Sequence, residues 1–236
     1  MLLISILEHK KTDARKLLHH FNFLLLTMEI LLCCERFYVY HQFMIYPRAF
    51  YNRSALAVAR DLIGARLVRI LDGNKLVGLI TETEAYISEK DLACHAKAGL
   101  TPRTAVLYGE PGHAYVYFTY GNHWMLNVVA EREGYPAAVL IRALQPLEGK
   151  DEISQRRSGR DTKGPGKLCQ AMGITKAENG ADLTKPKSGL WIEEGLNVPD
   201  SLILKGPRMG LNNTPEPWRS KPWRFLAKGH TIPSGH

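Results

Sequence analysis

Cysteine is scarce in this chain, with four residues among 236. They are Cys33, Cys34, Cys94 and Cys169, and no two are spaced as C-x-x-C, so neither a zinc ribbon nor a thioredoxin-like redox motif is expected. Cys33 and Cys34 are adjacent and cannot easily bind a metal together with the distant pair. Free thiols in a reducing compartment are the simplest interpretation.

A long hydrophobic run is also absent. The apolar segment at residues 21–34 has 14 residues and contains Glu29, whereas a membrane-spanning helix needs about 20 apolar residues. No small-residue cleavage site follows a charged start, which is untypical of a signal peptide. We expect residues 1–46 to be a dispensable extension, either an amphipathic helix or the product of an upstream start codon, with Met28 or Met44 as the alternative start.

Acidic residues are outnumbered, since 23 Asp and Glu face 31 Lys and Arg, and the net charge is +8. A basic surface suits a polyanionic partner such as nucleic acid, or an anionic membrane face, and it also favours solubility. The hydrophobic content of 45% is ordinary for a globular protein. Charge and composition alone leave these alternatives open.

Neither an internal repeat nor a linker divides the rest of the chain, so its length suits one large domain. Ser54 and Gly64 predict the ends of a helix over residues 55–63. We expect a single mixed α/β domain of antiparallel strands over residues 47–229, followed by a tail at 230–236. The predicted strands are residues 66–71, 75–86, 114–120, 124–130, 137–144, 191–193 and 202–205, with a turn at 72–74 and a second helix over 167–172.

Two carboxylates share one face of the second predicted strand. Because side chains alternate along a strand, Glu82, Glu84 and Tyr86 point to the same side. The two carboxylates are then roughly 6–7 Å apart. A solvated edge strand, a general base beside a cleft and the carboxylate pair of a glycoside hydrolase all fit this pattern.

Residues 113–127, HAYVYFTYGNHWMLN, are rich in aromatic side chains. Tyr115 and Tyr117 share one face of a predicted strand, and Tyr120 stands at its end, before a turn at Gly121. A large ring in that place could enter a base stack as a wedge, as in proteins that distort DNA. The aromatic core of a β-sheet is the alternative.

Three more polar side chains are candidates for a site. Arg142 interrupts an apolar strand and needs a partner, for which Glu84 is one candidate. Asn127 either bonds to the backbone or reads the edge of a base. His95 has no second metal ligand at helix spacing, so zinc is not expected, but its imidazole could donate to a ring nitrogen or to a phosphate.

A glycine-rich segment, Gly164-Pro165-Gly166-Lys167, precedes the second predicted helix. Free amides at a helix start, together with a lysine, suit a phosphate, although the spacing of a Walker A loop is missing. A solvated run of charge and a contact to a nucleic-acid backbone are both consistent with the basic residues before it. These residues are Arg156, Arg157, Arg160 and Lys163.

Together these stretches resemble the alkyladenine (3-methyladenine) DNA glycosylases, of the type found in mammals and in many bacteria. The resemblance runs from Pro47 to Gly229 and leaves out residues 1–46. Its motifs occur in the expected order and with similar spacing. They are ARDLIG (59–64), TETEAY (81–86), DLACHA (91–96), AYVYFTYG (114–121), MLN (125–127), LIRALQPLEG (140–149), GPGKLCQA (164–171) and KPWRF (221–225).

The resemblance implies base excision, in which the enzyme flips a damaged purine out of duplex DNA and hydrolyses its N-glycosidic bond. It implies that Glu84 is the general base that deprotonates the attacking water, and that Arg142 lies near this water. It also implies that Asn127 discourages normal guanine by crowding its exocyclic amine. The walls that contact the flipped base would be Tyr86, His95 and Tyr117.

The resemblance further implies contacts with the rest of the DNA. Tyr120 matches the side chain that intercalates where the flipped nucleotide was, and Leu107 matches a position that probes the opposite strand or the gap. The segment after Arg103 reads Thr-Ala-Val-Leu, where better-known members carry a more polar, basic run. Gly166 stands where some members have serine. The remaining DNA contacts are expected from Arg103, Gly164 and Lys167.

The implied fold is a mixed α/β (α+β) domain with a curved antiparallel sheet and flanking helices, of the formyltransferase C-terminal-like barrel type. The implied enzyme is monofunctional and needs no metal or other cofactor. We expect its partner to be double-stranded DNA that contains damaged purines, with no membrane partner. We also expect a monomer and a cytoplasmic, nucleoid-associated location in a bacterial cell.

The sequence does not rank the lesions, which are 3-methyladenine, 7-methylguanine, hypoxanthine and ethenoadenine. Two alternatives come from other classes of protein. One is a sugar hydrolase that uses Glu82 and Glu84 as its carboxylate pair. The other is a nucleic-acid binder that recognises damage without cutting.

Overall fold

A computed structural model describes residues 43–119 and 121–230 of the chain. The predictions for residues 1–42, for the tail after residue 230 and for Tyr120 lie outside the described residues. The described part is a mixed α/β domain built on one antiparallel sheet, as predicted. Near its start, the ring of Phe43 lies 4.0 Å from the Arg66 guanidinium, and the Tyr46 amide donates to the Ile192 carbonyl at 3.1 Å.

The eight strands of the sheet run in the order β3-β4-β5-β2-β1-β6, with β8 paired to β2 and β7 paired to β8. The described path ends at β3 and β6, so the sheet is open. The barrel type implied by the resemblance remains a prediction. The strands are β1 Arg66–Leu71, β2 Asn74–Ile87, β3 Ala114–Thr119, β4 His123–Val129, β5 Ala137–Glu148, β6 Leu190–Glu193, β7 Ile203–Gly206 and β8 Arg224–Ala227.

Four short α-helices lie in the described ranges: α1 Arg48–Tyr51, α2 Ala55–Asp61, α3 Lys150–Arg156 and α4 Pro165–Ala171. One-turn 3-10 helices form at His95–Ala98, Ala105–Tyr108, Lys176–Glu178, Pro186–Ser188, Asp200–Leu202 and Lys228–His230. Helix α2 is two residues shorter than predicted. Its predicted cap is wrong, because the Ser54 side chain makes no capping bond. The carboxylate of Glu131 accepts from the Ala55 amide instead, at 3.1 Å.

The hairpin between β1 and β2 forms as the sequence predicted. Leu71 and Asn74 are the last paired residues, and the two residues between them have positive φ, 50° at Asp72 and 82° at Gly73. This backbone matches the right-handed twist of the two strands, and Asp-Gly tolerates it well. The turn therefore fixes the register of β2, the strand that carries Glu82 and Glu84.

Strand β2 lies inside the sheet, where β5 and β8 pair with its second half. Helix α2 packs against it, and the Thr83 hydroxyl donates to the Ala59 carbonyl at 2.7 Å. A bulge between Ile80 and Thr83 interrupts the register with β5, and such bulges bend a strand and redirect its side chains. The polar residues of β2 thus lie in the interior and not on a solvated edge.

Candidate active site

Glu84 is a carboxylate with no solvent exposure, held by two hydrogen-bond donors and one ion pair. Its Oε1 accepts from the Met209 amide at 2.7 Å and lies 3.4 Å from a guanidinium nitrogen of Arg142. Its Oε2 accepts from the Tyr86 hydroxyl at 2.8 Å. A buried carboxylate requires such partners, because an unpaired charge costs several kcal/mol to remove from water.

Burial raises the pKa of the Glu84 carboxyl above its usual value. The positive charge of Arg142 and the hydrogen bonds from Met209 and Tyr86 oppose this effect. A carboxylate with a raised pKa takes a proton from water more readily than an ordinary one. The environment of Glu84 therefore suits a general base.

Glu82 has a different environment, although it lies two residues away on the same strand. Its Oε1 accepts from Arg142 Nε at 3.2 Å and from Arg224 at 3.1 Å. Two guanidinium groups thus neutralise this carboxylate, and its side chain is only 6% exposed. Glu82 is held as an ion-paired partner of two arginines, which does not favour the carboxylate pair of a sugar hydrolase.

An aromatic pocket adjoins Glu84. Its inner part is a small cavity of about 30 Å³, and it shares several walls with an open cleft of about 710 Å³. The shared walls are Tyr86, Ala93, His95 and Tyr117, and Asn127, Cys94 and Leu107 line the inner part. The side chains predicted to contact a flipped base are thus brought together beside the buried carboxylate.

His95 is held in its neutral form. Burial, together with the positive charges of Arg103 and Lys97, lowers the pKa of His95 to about 4. Its Nδ1 lies 3.0 Å from the Tyr115 hydroxyl, and the tautomer of the imidazole decides which of the two donates. With the imidazole proton on Nε2, Nδ1 accepts from this hydroxyl and Nε2 is a donor.

Asn127 lies at the inner end of the pocket and is 4% exposed. Its Nδ2 donates to the Tyr115 carbonyl at 3.0 Å, across the β3–β4 ladder. This bond fixes the orientation of the amide. Asn127 thus makes the backbone contact expected of a buried strand amide, and it also lines the pocket.

The open cleft is basic along one side, where Arg142, Arg157, Arg160 and Lys167 line it together with Gly164 and Gly166. Lys167 is paired with Asp161 at 3.1 Å. Gly166 packs closely on the ring of His123, because a Cβ at this position would lie 2.8 Å from the ring. This contact gives a physical reason for glycine at position 166.

Leu107, for which a DNA contact is predicted, lies in the interior of the described domain. Leu107 is 1% exposed and packs with Tyr115 and Cys94 at the base of the pocket. A side chain in this place supports the pocket, and a DNA contact by Leu107 stays a prediction. Arg103, in contrast, is exposed and lies 5.5 Å from the centre of the Tyr117 ring.

The sequence reasoning missed the segment at residues 207–211. Met209 supplies the amide that bonds to Glu84, and its half-exposed side chain lines the cleft with Gly210 and Leu211. No side-chain pattern marks this segment, because its main contribution is a backbone N–H. Its neighbour Arg208 is a buried cation in a loop, which is a signal that could have drawn attention to it.

Two kinds of feature are absent from residues 43–119 and 121–230. Within these ranges, no group of three or more His, Cys, Asp or Glu side chains could hold a metal ion. No helix of the described part is long and apolar enough to cross a membrane. The two cysteines in these ranges, Cys94 and Cys169, are buried free thiols.

The chain is similar to proteins from both archaea and bacteria. A relative from Methanocella arvoryzae is 48% identical over 78% of this chain and 92% of its own length. One from Myxococcus xanthus is 48% identical over 77% and 89%, and one from Carboxydothermus hydrogenoformans is 45% identical over 79% and 97%. Each of the three is named "Putative 3-methyladenine DNA glycosylase".

A family model covers most of the chain as well. The model described as "Methylpurine-DNA glycosylase (MPG)" matches residues 49–231. This match confirms the resemblance read from the motifs and the prediction of an enzyme of the DNA glycosylase class. The chain therefore belongs to the methylpurine-DNA glycosylase family.

Proposed function

We propose that the protein flips a damaged purine nucleotide out of duplex DNA and hydrolyses its N-glycosidic bond, which begins base excision repair. The observation that carries this proposal is the fully buried Glu84, whose two hydrogen-bond donors and whose ion-pair partner Arg142 all belong to residues that line the basic cleft. Flipping is required because the glycosidic bond of a stacked base is out of reach of a carboxylate at the end of a pocket.

In the proposed reaction, Glu84 accepts a proton from a water molecule as the water oxygen bonds to C1′ of the sugar. The bond between C1′ and the purine nitrogen breaks, and its electron pair leaves with the base. Arg142 lies 3.4 Å from Glu84 and stabilises the carboxylate that must remain ionised to act. Glu82 accepts a hydrogen bond from Arg142 Nε and so keeps this guanidinium in place.

The flipped base would lie against the rings of Tyr86, His95 and Tyr117. Base–aromatic stacking contributes about 1–3 kcal/mol per base and tolerates many purine modifications. Asn127, at the inner end, would crowd the exocyclic amine of normal guanine. Tyr120 lies outside the described residues, and its insertion into the gap in the duplex is part of the proposal.

The proposed substrates are 3-methyladenine, 7-methylguanine, hypoxanthine and ethenoadenine. The two methylated bases carry positive charge and leave readily, so stacking and an activated water suffice. A neutral base such as hypoxanthine needs a proton or a hydrogen bond as it leaves. His95 can donate a hydrogen bond through Nε2, but its pKa of about 4 leaves little imidazolium at neutral pH.

The basic side of the cleft would follow the DNA backbone. Arg103, Gly164 and Lys167 remain the proposed contacts, and Arg157 and Arg160 line the same cleft. Lys167 would exchange its exposed pair with Asp161 for a phosphate, since exposed ion pairs contribute little. We propose that a monomer binds the damaged duplex.

Single-turnover excision from duplexes that each contain one of the four lesions tests this function. We expect release of at least one base by the unaltered chain, and none by Glu84→Gln, which should still bind the lesion duplex. Glu133→Gln makes the same chemical change at an exposed position and should keep full activity. Excision by Glu84→Gln at the unaltered rate would show that Glu84 is not the general base.

Two other outcomes would identify the alternative functions. A damage binder that does not cut would bind the lesion duplex without releasing any base. A sugar hydrolase would act on oligosaccharides and leave damaged DNA intact. Either result would overturn the proposal.

A further inference from the structure

We propose that Arg208 is a positioning residue that fixes two of the donors on Glu84, the Met209 amide and the Tyr86 hydroxyl. This inference rests on the proposed function, in which Glu84 is the general base. Arg208 does not itself bond to Glu84, so its effect passes through its neighbour in sequence and through the ring of Tyr86.

Arg208 is a fully buried cation, and its side-chain bonds reach three parts of the chain. One guanidinium nitrogen donates to the Ala85 carbonyl at 3.0 Å, in the strand between Glu84 and Tyr86. The other donates to the Trp218 carbonyl at 3.2 Å and to Asp91 Oδ1 at 2.9 Å. The segment that carries the Met209 amide is thus tied to the strand that carries Glu84.

Asp91 extends this connection to the loop in front of the pocket. The side chain is fully buried and forms a bidentate pair with Arg208. Its oxygens also accept from the Ile87 amide at 3.2 Å and the Ala93 amide at 3.0 Å. Ala93 lines the pocket two residues before His95, so the ion pair holds one edge of the aromatic walls.

Arg208 also contacts the aromatic wall directly. Its guanidinium carbon lies 4.6 Å from the centre of the Tyr86 ring and 4.9 Å from that of Trp223. Lys221 lies over Trp223 at 4.3 Å and over Trp218 at 4.0 Å, which continues the alternation of cations and rings outward. Cation–π contacts of this kind are strongest where water is excluded.

The consequence for Glu84 follows from its two oxygens. Oε1 accepts from Met209, the residue after Arg208, and Oε2 accepts from Tyr86, whose ring contacts Arg208. Hydrogen bonds to the ionised form keep a buried carboxylate deprotonated and oriented. If both donors shift, the effect of burial dominates and the pKa of Glu84 rises further. Glu84 is then ionised, and can act as a base, only at higher pH.

The groups that face Glu84 define what else could change its titration. Arg142 approaches it from β5, while Glu82 and Tyr86 flank it on β2. Arg224 of β8 pairs with Glu82. Arg208 makes no described contact with Arg142, Glu82 or Arg224, so a shift in pH dependence reports on the Met209 and Tyr86 donors.

The test is Arg208→Lys, which keeps the charge but cannot form the bidentate pair and the two carbonyl bonds together. We expect the single-turnover excision rate to fall on the order of 10- to 100-fold, as for other misplaced catalytic groups. The acid limb of the pH–rate profile should move to higher pH. Affinity for a duplex with a reduced abasic site, which needs no chemistry, should be unchanged.

Arg69→Lys is the matched control, because Arg69 forms a comparably buried pair with Glu178, at 2.6 Å, on the β1 side of the sheet. All variants are assayed below the onset of their own thermal unfolding. Arg69→Lys should lose stability without a change in excision rate or in the acid limb. The proposal would be overturned if both variants lost excision rate equally. It would also be overturned if Arg208→Lys kept the unaltered excision rate and the unaltered acid limb of the pH–rate profile.

Asp91→Asn provides a second measurement if Arg208→Lys does not fold. It preserves the size of the side chain and removes the charge that holds Arg208, and the same fall in rate is expected. An unaltered rate in a folded Asp91→Asn would also overturn the proposal. Failure of the proposed function looks different. In that case the unaltered chain would release no base, or Glu84→Gln would excise the base at the unaltered rate.

Discussion

Glu82 and Glu84 differ in their partners and not in their burial. Both are 5% exposed or less and lie on one strand. Glu82 accepts from two guanidinium groups, whereas Glu84 has one distant guanidinium nitrogen and two neutral donors. Two cations stabilise the ionised form far more than two dipoles do. Burial raises the pKa of Glu84, and this carboxylate is not ion-paired to two cations, which suits the role of a base.

Gly166 offers a test of the close contact with His123. A glycine inside a helix costs roughly 0.5–1 kcal/mol relative to alanine. If nothing lay against position 166, Gly166→Ala would therefore stabilise α4. The added Cβ would lie 2.8 Å from the His123 ring, and overpacking typically costs 1–3 kcal/mol. We expect Gly166→Ala to lower the free energy of unfolding in the unaltered chain, as measured by denaturant titration.

The sign should reverse when the ring is removed. In a His123→Ala background, Gly166→Ala has no ring to displace, and we expect it to stabilise the protein by roughly 0.5–1 kcal/mol. A double-mutant cycle isolates this coupling. Identical effects in both backgrounds would mean that the ring does not restrict position 166.

Most pocket residues could be predicted from the sequence, because they are polar or aromatic side chains in unexpected places. Arg142 interrupts an apolar strand, and its pairing with both carboxylates follows from the cost of burying a charge. Leu107 could not be placed, since an apolar side chain in a loop fits a core and a DNA contact equally well. Met209 was missed because its contribution is a backbone amide.

The start of helix α2 depends on a residue from a distant part of the chain. Glu131 accepts from the Ala55 amide, while the adjacent Ser54 makes no side-chain cap. Loss of a capping acceptor typically costs about 1 kcal/mol. We expect Glu131→Ala to lower the free energy of unfolding by about this amount, while Ser54→Ala has little effect.

Glu131→Gln separates the hydrogen bond from the charge. Its amide oxygen can still accept from Ala55, so most of the stability should return. If Ser54→Ala proves to be the more harmful change, the sequence-based cap is correct and the Glu131 bond is not. Thermal and denaturant unfolding of the three variants give the comparison.

Elements with alternating side chains or a specific turn could be predicted within one or two residues. Strands β1 and β2 and their Asp-Gly turn are the clearest cases. Helix α3 was missed because it lies in a polar, charged segment where only Ile153 is buried. Strand β8 was missed because its residues, Arg224–Ala227, gain their strand form from pairing with β2 and β7, which depends on tertiary contacts.

At the scale of the whole molecule, the net charge of +8 gains meaning from where some of the cations lie. Arg142, Arg157, Arg160 and Lys167 line a single cleft beside the pocket. A cleft lined by one sign of charge concentrates the field and attracts a polyanion. The basic composition, which alone favoured solubility as much as DNA, thus supports the proposed binding of a duplex.

Arg160 makes this proposal quantitative, since it is exposed, lines the cleft and bonds only to the Arg157 carbonyl among its described contacts. If it neutralises one phosphate, Arg160→Gln should reduce the slope of log K against log salt by about 1. Lys187→Gln removes one charge near β6, at the other end of the sheet, and should leave the slope unchanged. Both are measured in the Glu84→Gln background, so that the lesion duplex stays intact during binding. Equal slopes for the two variants would mean that Arg160 does not neutralise a phosphate, because each variant loses one positive charge and only that of Arg160 lies in the cleft.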